Sequence, residues 1–164
     1  RVGFVHGVMN TDNMSITGLT IDYGPYGWLD DYDPDWTPNT TDAAQRRYRF
    51  GQQAAIAQWN LMQLGSALLP LVTEPALLEA ELSEFAQRYD ALWPDMMARK
   101  LGLEPGGHGA DRALFAGLEQ TLRLTETDMT VFYQGLAQVT ATDSPAAALA
   151  RASTARQPRP ATPG

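Results

Sequence analysis

A polar loop between two short apolar runs constrains the fold of this chain more than any other feature of its sequence. The first run covers residues 2–5, the loop covers residues 6–13, and the second run covers residues 19–23. Apolar runs of this length beside a polar turn are typical of strands. The second run also contains Asp22, and a carboxylate that is half-buried in a strand needs a partner. The sequence therefore predicts a small N-terminal β-hairpin around a loop that carries function.

Oxygen-bearing side chains in this segment suit a metal ion. Asn13 offers an amide oxygen from the loop, and Asp22 offers a carboxylate from the nearby strand end. Hard oxygen ligands in a fixed geometry are what Mg²⁺ or Mn²⁺ requires beside the phosphates of ATP. Asn and Asp are also common in plain turns, because their side chains bond their own backbone, and this interpretation is the better one for Asn10. For Asp12, Asn13 and Asp22 taken together, the pattern favours a functional site.

The spacing of these residues resembles that of a protein kinase. In the kinase catalytic loop H-R-D-L-x-x-x-N, a histidine and a metal-binding asparagine stand at a fixed interval, and D-F-G follows. His6 and Asn13 keep that interval, and residues 22–24 read Asp-Tyr-Gly. The usual base is replaced by Val8, which cannot accept a proton. The ordinary kinase route of phosphoryl transfer is therefore disfavoured.

The same segment, followed along the chain, closely resembles the selenoprotein O family of protein adenylyltransferases, which are kinase-like proteins. The resemblance is dense from residue 3 to about residue 71, patchy to about residue 133, and absent after that. Its matching stretches are residues 6–16, 18–25, 33–35, 47–50, 58–61 and 97–103.

The resemblance implies roles for three residues. The residue matching Asp12 is the proton acceptor in that family, and those matching Asn13 and Asp22 bind Mg²⁺ or Mn²⁺, with Asp22 reaching ATP through the metal. It also implies that the α-phosphate is attacked, so that AMP moves to Ser, Thr or Tyr hydroxyls of proteins and pyrophosphate leaves. Two other classes stay open: an atypical ATP-dependent protein kinase, and a noncatalytic kinase-like (pseudokinase) interaction module.

The predicted fold class is mainly α, with the small β-hairpin at the N-terminus, and corresponds to the C-lobe of a protein-kinase-like fold. Residues 1–142 form this partial C-lobe, with the catalytic loop at 6–24 and the helical region at 51–140. Residues 143–164 are rich in Ala and Pro, and too few large apolar groups stand there to offset the entropy of ordering. We expect a disordered tail, apart from a short helix over about 146–152.

The sequence also suggests a piece of a larger protein. The chain begins with Arg1, and its one lysine is Lys100 in the helical region. The Gly-rich loop and ATP-pairing lysine of the kinase N-lobe are expected in a part of the same protein that precedes this chain. The piece alone is therefore expected to be inactive. The compartment is unknown: cytoplasmic if the source is bacterial, mitochondrial if it is eukaryotic.

Apolar residues at helical spacing predict the elements of the rest of the chain. One stripe predicts a helix over about 54–68, with Trp59 and Met62 covering its other side, so that it is central in the core. A second predicts a helix over about 78–92 that is interrupted before Pro94. A shorter helix is expected over about 95–101.

The last predicted helices lie nearer the C-terminus. Leucines predict one over about 114–122. Thr125 and Asp128 resemble a capping box before a helix over about 129–139.

Composition excludes several partners and sites. A net charge of −7 argues against nucleic acid, because phosphate contacts require clustered Lys and Arg. The absence of cysteine excludes disulfides and thiolate metal sites. No uncharged apolar stretch is long enough for a membrane span. His108, in a Gly-rich stretch, is interpreted as a loop residue rather than a ligand.

An acidic run resembles a calcium-binding loop, but two of its residues depart from that pattern and disfavour calcium. Its candidate ligands are Asp31, Asp33, Asp35, Asn39 and Asp42. Trp36 stands where such a loop needs Gly, and the last ligand is shorter than the usual Glu.

Overall fold

The computed structural model describes residues 1–106 and 110–152, the side chains of residues 110 and 111 excepted. The fold is mainly helical with one small antiparallel sheet, as predicted. The strands are β1 (Phe4–Val5) and β2 (Gly27–Trp28). The helices are α1 (Gln53–Leu68), α2 (Pro75–Lys100), α3 (Ala110–Leu122), α4 (Met129–Leu136) and α5 (Pro145–Ala152). The predicted loop residue His108 and the end of the predicted tail, 153–164, lie outside the described residues.

The hairpin exists, but its second strand is not the predicted one. β1 pairs with β2 in the register Phe4 to Trp28 and Val5 to Gly27. The predicted strand over 19–23 is wrong: that run makes a single isolated bridge, between Thr20 and Met14. The apolar side chains of the run are exposed there, so no burial favours a longer ladder.

A buried cluster fastens the hairpin to α4. Val5, Leu29 and Met129 form its centre, and the partly buried aromatic rings of Tyr32, Trp36, Phe50 and Tyr133 pack around them. Two backbone bonds lie beside the cluster: Met129 donates to the carbonyl of Asp30 at 2.8 Å, and Tyr32 donates to the carbonyl of Thr127 at 3.0 Å. The segment after β2 is therefore held by main-chain and side-chain contacts together.

Helix α1 covers the predicted stripe but is not central in the core. Trp59 is 42% exposed and Met62 is 51% exposed, so the side of the helix that they occupy faces solvent. The buried residues of α1 are Ile56, Asn60 and Gly65. A Cβ at Gly65 would lie 2.8 Å from Leu82 Cδ1, so α1 and α2 approach closely at this glycine.

Helix α2 runs through Pro94, where the sequence predicts a break. Proline cannot donate to the carbonyl of the residue four positions earlier, which usually kinks or ends a helix. That residue is Asp90, and its carbonyl accepts a bond from Arg112 Nη2 of α3 at 3.3 Å. α3 thus supplies a donor to the carbonyl that Pro94 leaves free, and one helix of 26 residues is found where two were predicted.

The bounds of α3, α4 and α5 are close to those predicted, but the N-cap of α4 differs. Asp128 is itself the N-cap of α4, because its carboxylate accepts from the backbone of Val131 at 3.0 Å. The predicted capping box with Thr125 as the cap is therefore wrong, and α4 ends at Leu136. Helix α5 confirms the short helix that was predicted over about 146–152. It packs on α4 so closely that a Cβ at Gly135 would overlap the carbonyl of Arg151. Within the described residues, no helix combines the length and the apolar character that a membrane span requires.

Candidate nucleotide and metal site

The loop after β1 ends in a short turn that carries two of the predicted site residues. A single 3₁₀ turn covers Thr11–Asn13. Asp12 is exposed on it, and Asn13 is half-buried. The amide nitrogen of Asn13 donates to the carbonyl of Val8 at 3.1 Å. Since that bond uses the nitrogen, Oδ1 of Asn13 is the atom that can serve as a ligand.

The bridge between Met14 and Thr20 brings the third predicted residue back toward the turn. In an antiparallel bridge, the residues before one partner lie on the same side as the residues after the other. Asn13, just before Met14, and Asp22, two residues after Thr20, therefore lie on the same side of the bridge. Asp22 is half-buried, and a Cβ on Gly24 would lie 3.5 Å from its Oδ2. The glycine thus lies next to the carboxylate.

The oxygens of Asn13 and Asp22 fit an ion such as Mg²⁺ that takes most of its ligands from water and substrate phosphates. Among the described residues, no three His, Cys, Asp or Glu side chains form a group that could hold a metal. The chain offers one amide oxygen, of Asn13, and one carboxylate, of Asp22. Mg²⁺ keeps several waters and binds through one or two carboxylates together with substrate phosphates. These two residues therefore suit a metal that arrives with a nucleotide.

The residues that imitate a calcium loop serve other purposes. Asp42 accepts from the backbone of Arg47 at 2.9 Å and of Tyr48 at 2.8 Å. Asp35 forms an ion pair of 3.0 Å with Arg49, and Asn39 donates to the loop carbonyl of Gly7. The structure thus gives calcium no support, and the acidic and basic stretches stabilise each other.

Titratable groups with shifted pKa values lie beneath the hairpin, among the aromatic rings of its core. Burial, with Glu119 nearby, raises the pKa of Tyr32 to about 12. Burial also raises the pKa of Tyr133 and, with Arg1 close by, lowers that of Lys100. The Lys100 ammonium lies 3.8 Å from the centre of the Tyr133 ring, a cation–π contact. These shifts follow from packing.

Gly7 fixes the start of the loop. Its φ is +80°, and a Cβ would collide with the carbonyl oxygen of Pro25 and lie 3.0 Å from Pro38 Cγ. We expect Gly7→Ala to lower the free energy of unfolding by about 2–4 kcal/mol, through left-handed strain and overpacking. Urea unfolding of the chain measures this.

Gly18 is the matched control for that substitution. Its φ is +74°, but a Cβ there would meet nothing within 4 Å. Gly18→Ala should therefore cost only the backbone strain, about 1 kcal/mol. Equal losses for the two variants would show that the crowding at Gly7 has no energetic weight.

Sequence reasoning missed three amide side chains that contact the loop from elsewhere. Gln53 donates to a backbone carbonyl of β1, and Asn39 and Asn60 donate to backbone carbonyls between β1 and the 3₁₀ turn. The available signal was Asn60, a polar residue between apolar neighbours on α1. It is only 5% exposed, and a buried amide is normally hydrogen-bonded.

An aromatic patch lies on the hairpin. Its four rings touch in sequence, with centroids 5.3–6.1 Å apart, and belong to Phe4, Trp28, Tyr26 and Tyr23. Tyr23 is 65% exposed and Trp28 is 54% exposed. Tyr23 directly follows Asp22, so the patch adjoins the candidate site.

Comparison with known proteins assigns the chain to a family. The family model described as Protein adenylyltransferase SelO matches residues 1–157. A Protein nucleotidyltransferase YdiU of Rhodopirellula baltica is 59% identical over 139 residues, which are 85% of this chain and 26% of that protein. Proteins of the same name from Flavobacterium johnsoniae and Nitrosospira multiformis are 55% identical over 144 residues and 56% identical over 139 residues. These alignments cover 88% and 85% of this chain, and 27% and 25% of the two relatives.

The chain thus spans about a quarter of the length of the curated relatives it matches. The family model, in contrast, covers almost all of the chain. The resemblance seen in the loop residues is therefore confirmed, but its expected end near residue 133 is wrong, because the family model matches as far as residue 157. The chain belongs to the SelO family of protein adenylyltransferases.

Proposed function

We propose that the parent protein of this chain transfers AMP from ATP to Ser, Thr or Tyr hydroxyls of proteins. Membership of the family and the name nucleotidyltransferase carried by the relatives support nucleotide transfer. The observation that carries the proposal is the 3₁₀ turn, which presents Asp12 to solvent beside Asn13. A carboxylate there can do what Val8, at the position of a kinase base, cannot.

In the proposed reaction, Asp12 accepts the proton of the attacking hydroxyl. The hydroxyl oxygen forms a bond to the α-phosphorus of ATP, the bond from that phosphorus to the β-phosphate oxygen breaks, and pyrophosphate leaves. Asn13 and Asp22 hold the ion that accompanies the nucleotide. When bound, Mg²⁺ or Mn²⁺ neutralises charge on the phosphate oxygens. Exposure of Asp12 leaves room for an acceptor side chain to approach it.

We also propose that the chain is the C-lobe of a kinase-like fold whose N-lobe covers the aromatic patch. The relatives are much longer than this chain, so other parts of the parent are available for that contact. Contiguous exposed aromatic surface beside a site is typical of a surface that is covered in the functional protein. ATP would then bind between the two lobes, next to Asp22.

The test uses the full-length parent and ATP labelled at one phosphate at a time. We expect label at the α-phosphate to remain on an acceptor protein, and label at the γ-phosphate to leave with pyrophosphate. Transfer of the γ-label alone would favour an atypical kinase. Transfer of neither label would favour a noncatalytic interaction module.

We expect this chain by itself to bind ATP weakly and to modify no protein. Asn13 and Asp22 are two ligands, which leave most of the coordination to water, and magnesium gives up its waters reluctantly. In kinase-like enzymes the phosphates are also held by the other lobe. Isothermal titration with ATP and Mn²⁺, beside an AMP-transfer assay, measures both properties. Micromolar binding or AMP transfer by the chain alone would contradict the prediction.

A further inference from the structure

We propose that Asn60, assisted by Gln53 and Asn39, is a positioning residue that sets the place of Asp12 and Asn13. The inference rests on the proposed function for its catalytic meaning, but its structural part can be tested without any turnover. It concerns an amide clamp, defined as the side chains of these three residues, which bind backbone carbonyls from Phe4 in β1 to Met9 in the loop.

Gln53 holds the end of β1 as a neighbouring strand would. Its Nε2 donates to the carbonyl of Phe4 at 2.9 Å, and its Oε1 accepts from the backbone of His6 at 3.1 Å. A primary amide carries the same donor and acceptor as a peptide group. Because Gln53 is the first residue of α1, the helix begins at the point where the loop leaves the sheet.

Asn39 holds the next part of the loop. It is 8% exposed, and its Nδ2 donates to the carbonyl of Gly7 at 3.1 Å. Its Oδ1 accepts from the backbone of Thr41 at 3.0 Å and from the hydroxyl of Thr41 at 2.7 Å. Both ends of the side chain are therefore bonded, which fixes its orientation toward Gly7.

Asn60 contacts the chain on both sides of the turn that carries the candidate base. Its Nδ2 donates to the carbonyl of Met9 at 2.8 Å and also lies 2.7 Å from the sulfur of Met14. Met9 precedes the 3₁₀ turn, and Met14 directly follows it. One buried amide group thus joins the two ends of the segment that presents Asp12 and Asn13.

The contacts of Asn60 with the loop are made by its donor end. Its Oδ1 is buried and has no hydrogen-bond partner among the described residues. A buried acceptor without a partner costs free energy, and an apolar side chain of similar shape would avoid that cost. The donor end is therefore the part of this side chain that we connect with function.

The test compares Asn60→Leu and Asn60→Asp with Gln63→Leu in the full-length parent. Asn60→Leu removes the donor at similar volume, and Asn60→Asp keeps the shape but places an acceptor opposite the Met9 carbonyl. Gln63 is an exposed amide on the same helix and serves as the matched control. AMP-transfer kinetics and hydrogen exchange are measured on each variant.

Both Asn60 variants should lower kcat roughly 10- to 100-fold. The loss of the buried hydrogen bond is expected to displace Asp12 from its catalytic position. The KM for ATP should change by no more than about threefold, because Asp22, the charged ion ligand, lies outside the segment that Asn60 contacts. Backbone amides of residues 9–14 should exchange about 10- to 100-fold faster, while those of α2 and α3 keep their rates. Gln63→Leu should leave all of these unchanged.

Several results would overturn the inference. Unchanged exchange at residues 9–14 in Asn60→Leu would do so whether or not the parent transfers AMP, which separates this failure from failure of the proposed function. Faster exchange throughout the chain would show a merely structural role. Normal kcat in Asn60→Asp would show that the donor is not needed. If both Asn60 variants fail to fold, Gln53→Glu provides the test. This variant keeps the acceptor for His6 and loses the donor to Phe4. It should still speed amide hydrogen exchange in the nearby loop.

Discussion

Replacing Asp22 by alanine in the full-length parent is expected to abolish metal-dependent ATP binding and AMP transfer together. The substitution removes the one carboxylate of the proposed ion site and leaves Asn13 as its only ligand from this chain. A neutral amide cannot offset the charge of a divalent ion, and a hard cation such as Mg²⁺ or Mn²⁺ prefers carboxylate oxygen. Titration with ATP and Mn²⁺, followed by the labelled-ATP assay, measures both losses.

Two companion variants make this result specific to Asp22. Asp22→Asn keeps the shape and should also lose most of the binding, since only the charge changes. Glu74→Ala removes an exposed carboxylate at the N-terminus of α2 and should leave both activities intact. Retention of ATP binding by Asp22→Ala would remove the residue from the ion site.

Replacing Asp12 by alanine should separate binding from chemistry. Transfer of AMP should fall by about 10² to 10⁴-fold, the usual range for loss of an acid–base group. Binding of ATP should be largely unchanged, because Asn13 and Asp22 still hold the ion. Because Asp12 is exposed, its replacement should leave the fold intact. Single-turnover transfer and equilibrium binding measure the two effects on one preparation.

The control for Asp12 is the neighbouring polar residue Asn10. It is also exposed, and its side chain accepts a bond from the hydroxyl of Tyr48 rather than capping the 3₁₀ turn. Asn10→Ala should therefore transfer AMP at nearly the normal rate. Near-normal transfer by Asp12→Ala would refute its assignment as the base.

The sequence predicts the helices well because their signal is local. Apolar residues at helical spacing place α1, and leucines place α3. The errors arise where a distant partner decides the outcome. Residues 19–23 have the residue types of a strand but pair with a neighbour only at Thr20. Pro94 lies inside α2, and Arg112 of another helix bonds the carbonyl that the proline leaves free.

The candidate site also contains residues that local sequence signals reveal and residues that only the fold reveals. Asp12, Asn13 and Asp22 could be selected from the sequence, because they stand close together in a motif with recognisable spacing. The amide clamp could not, since Gln53 and Asn60 bond backbone groups 49 and 51 positions away. Amide residues on a helix are usually solvated, and only the packing of α1 against the loop shows which of them are buried.

The bond between Arg112 and the carbonyl of Asp90 has an evolutionary consequence. Pro94 creates an acceptor without a helical donor, and Arg112 supplies the donor from a different helix. The two positions are thus tied, although neither side chain needs to touch the other. A lineage that replaces Pro94 restores the ordinary helical bond and frees position 112 to drift. A lineage that keeps the proline retains a selective reason for arginine there.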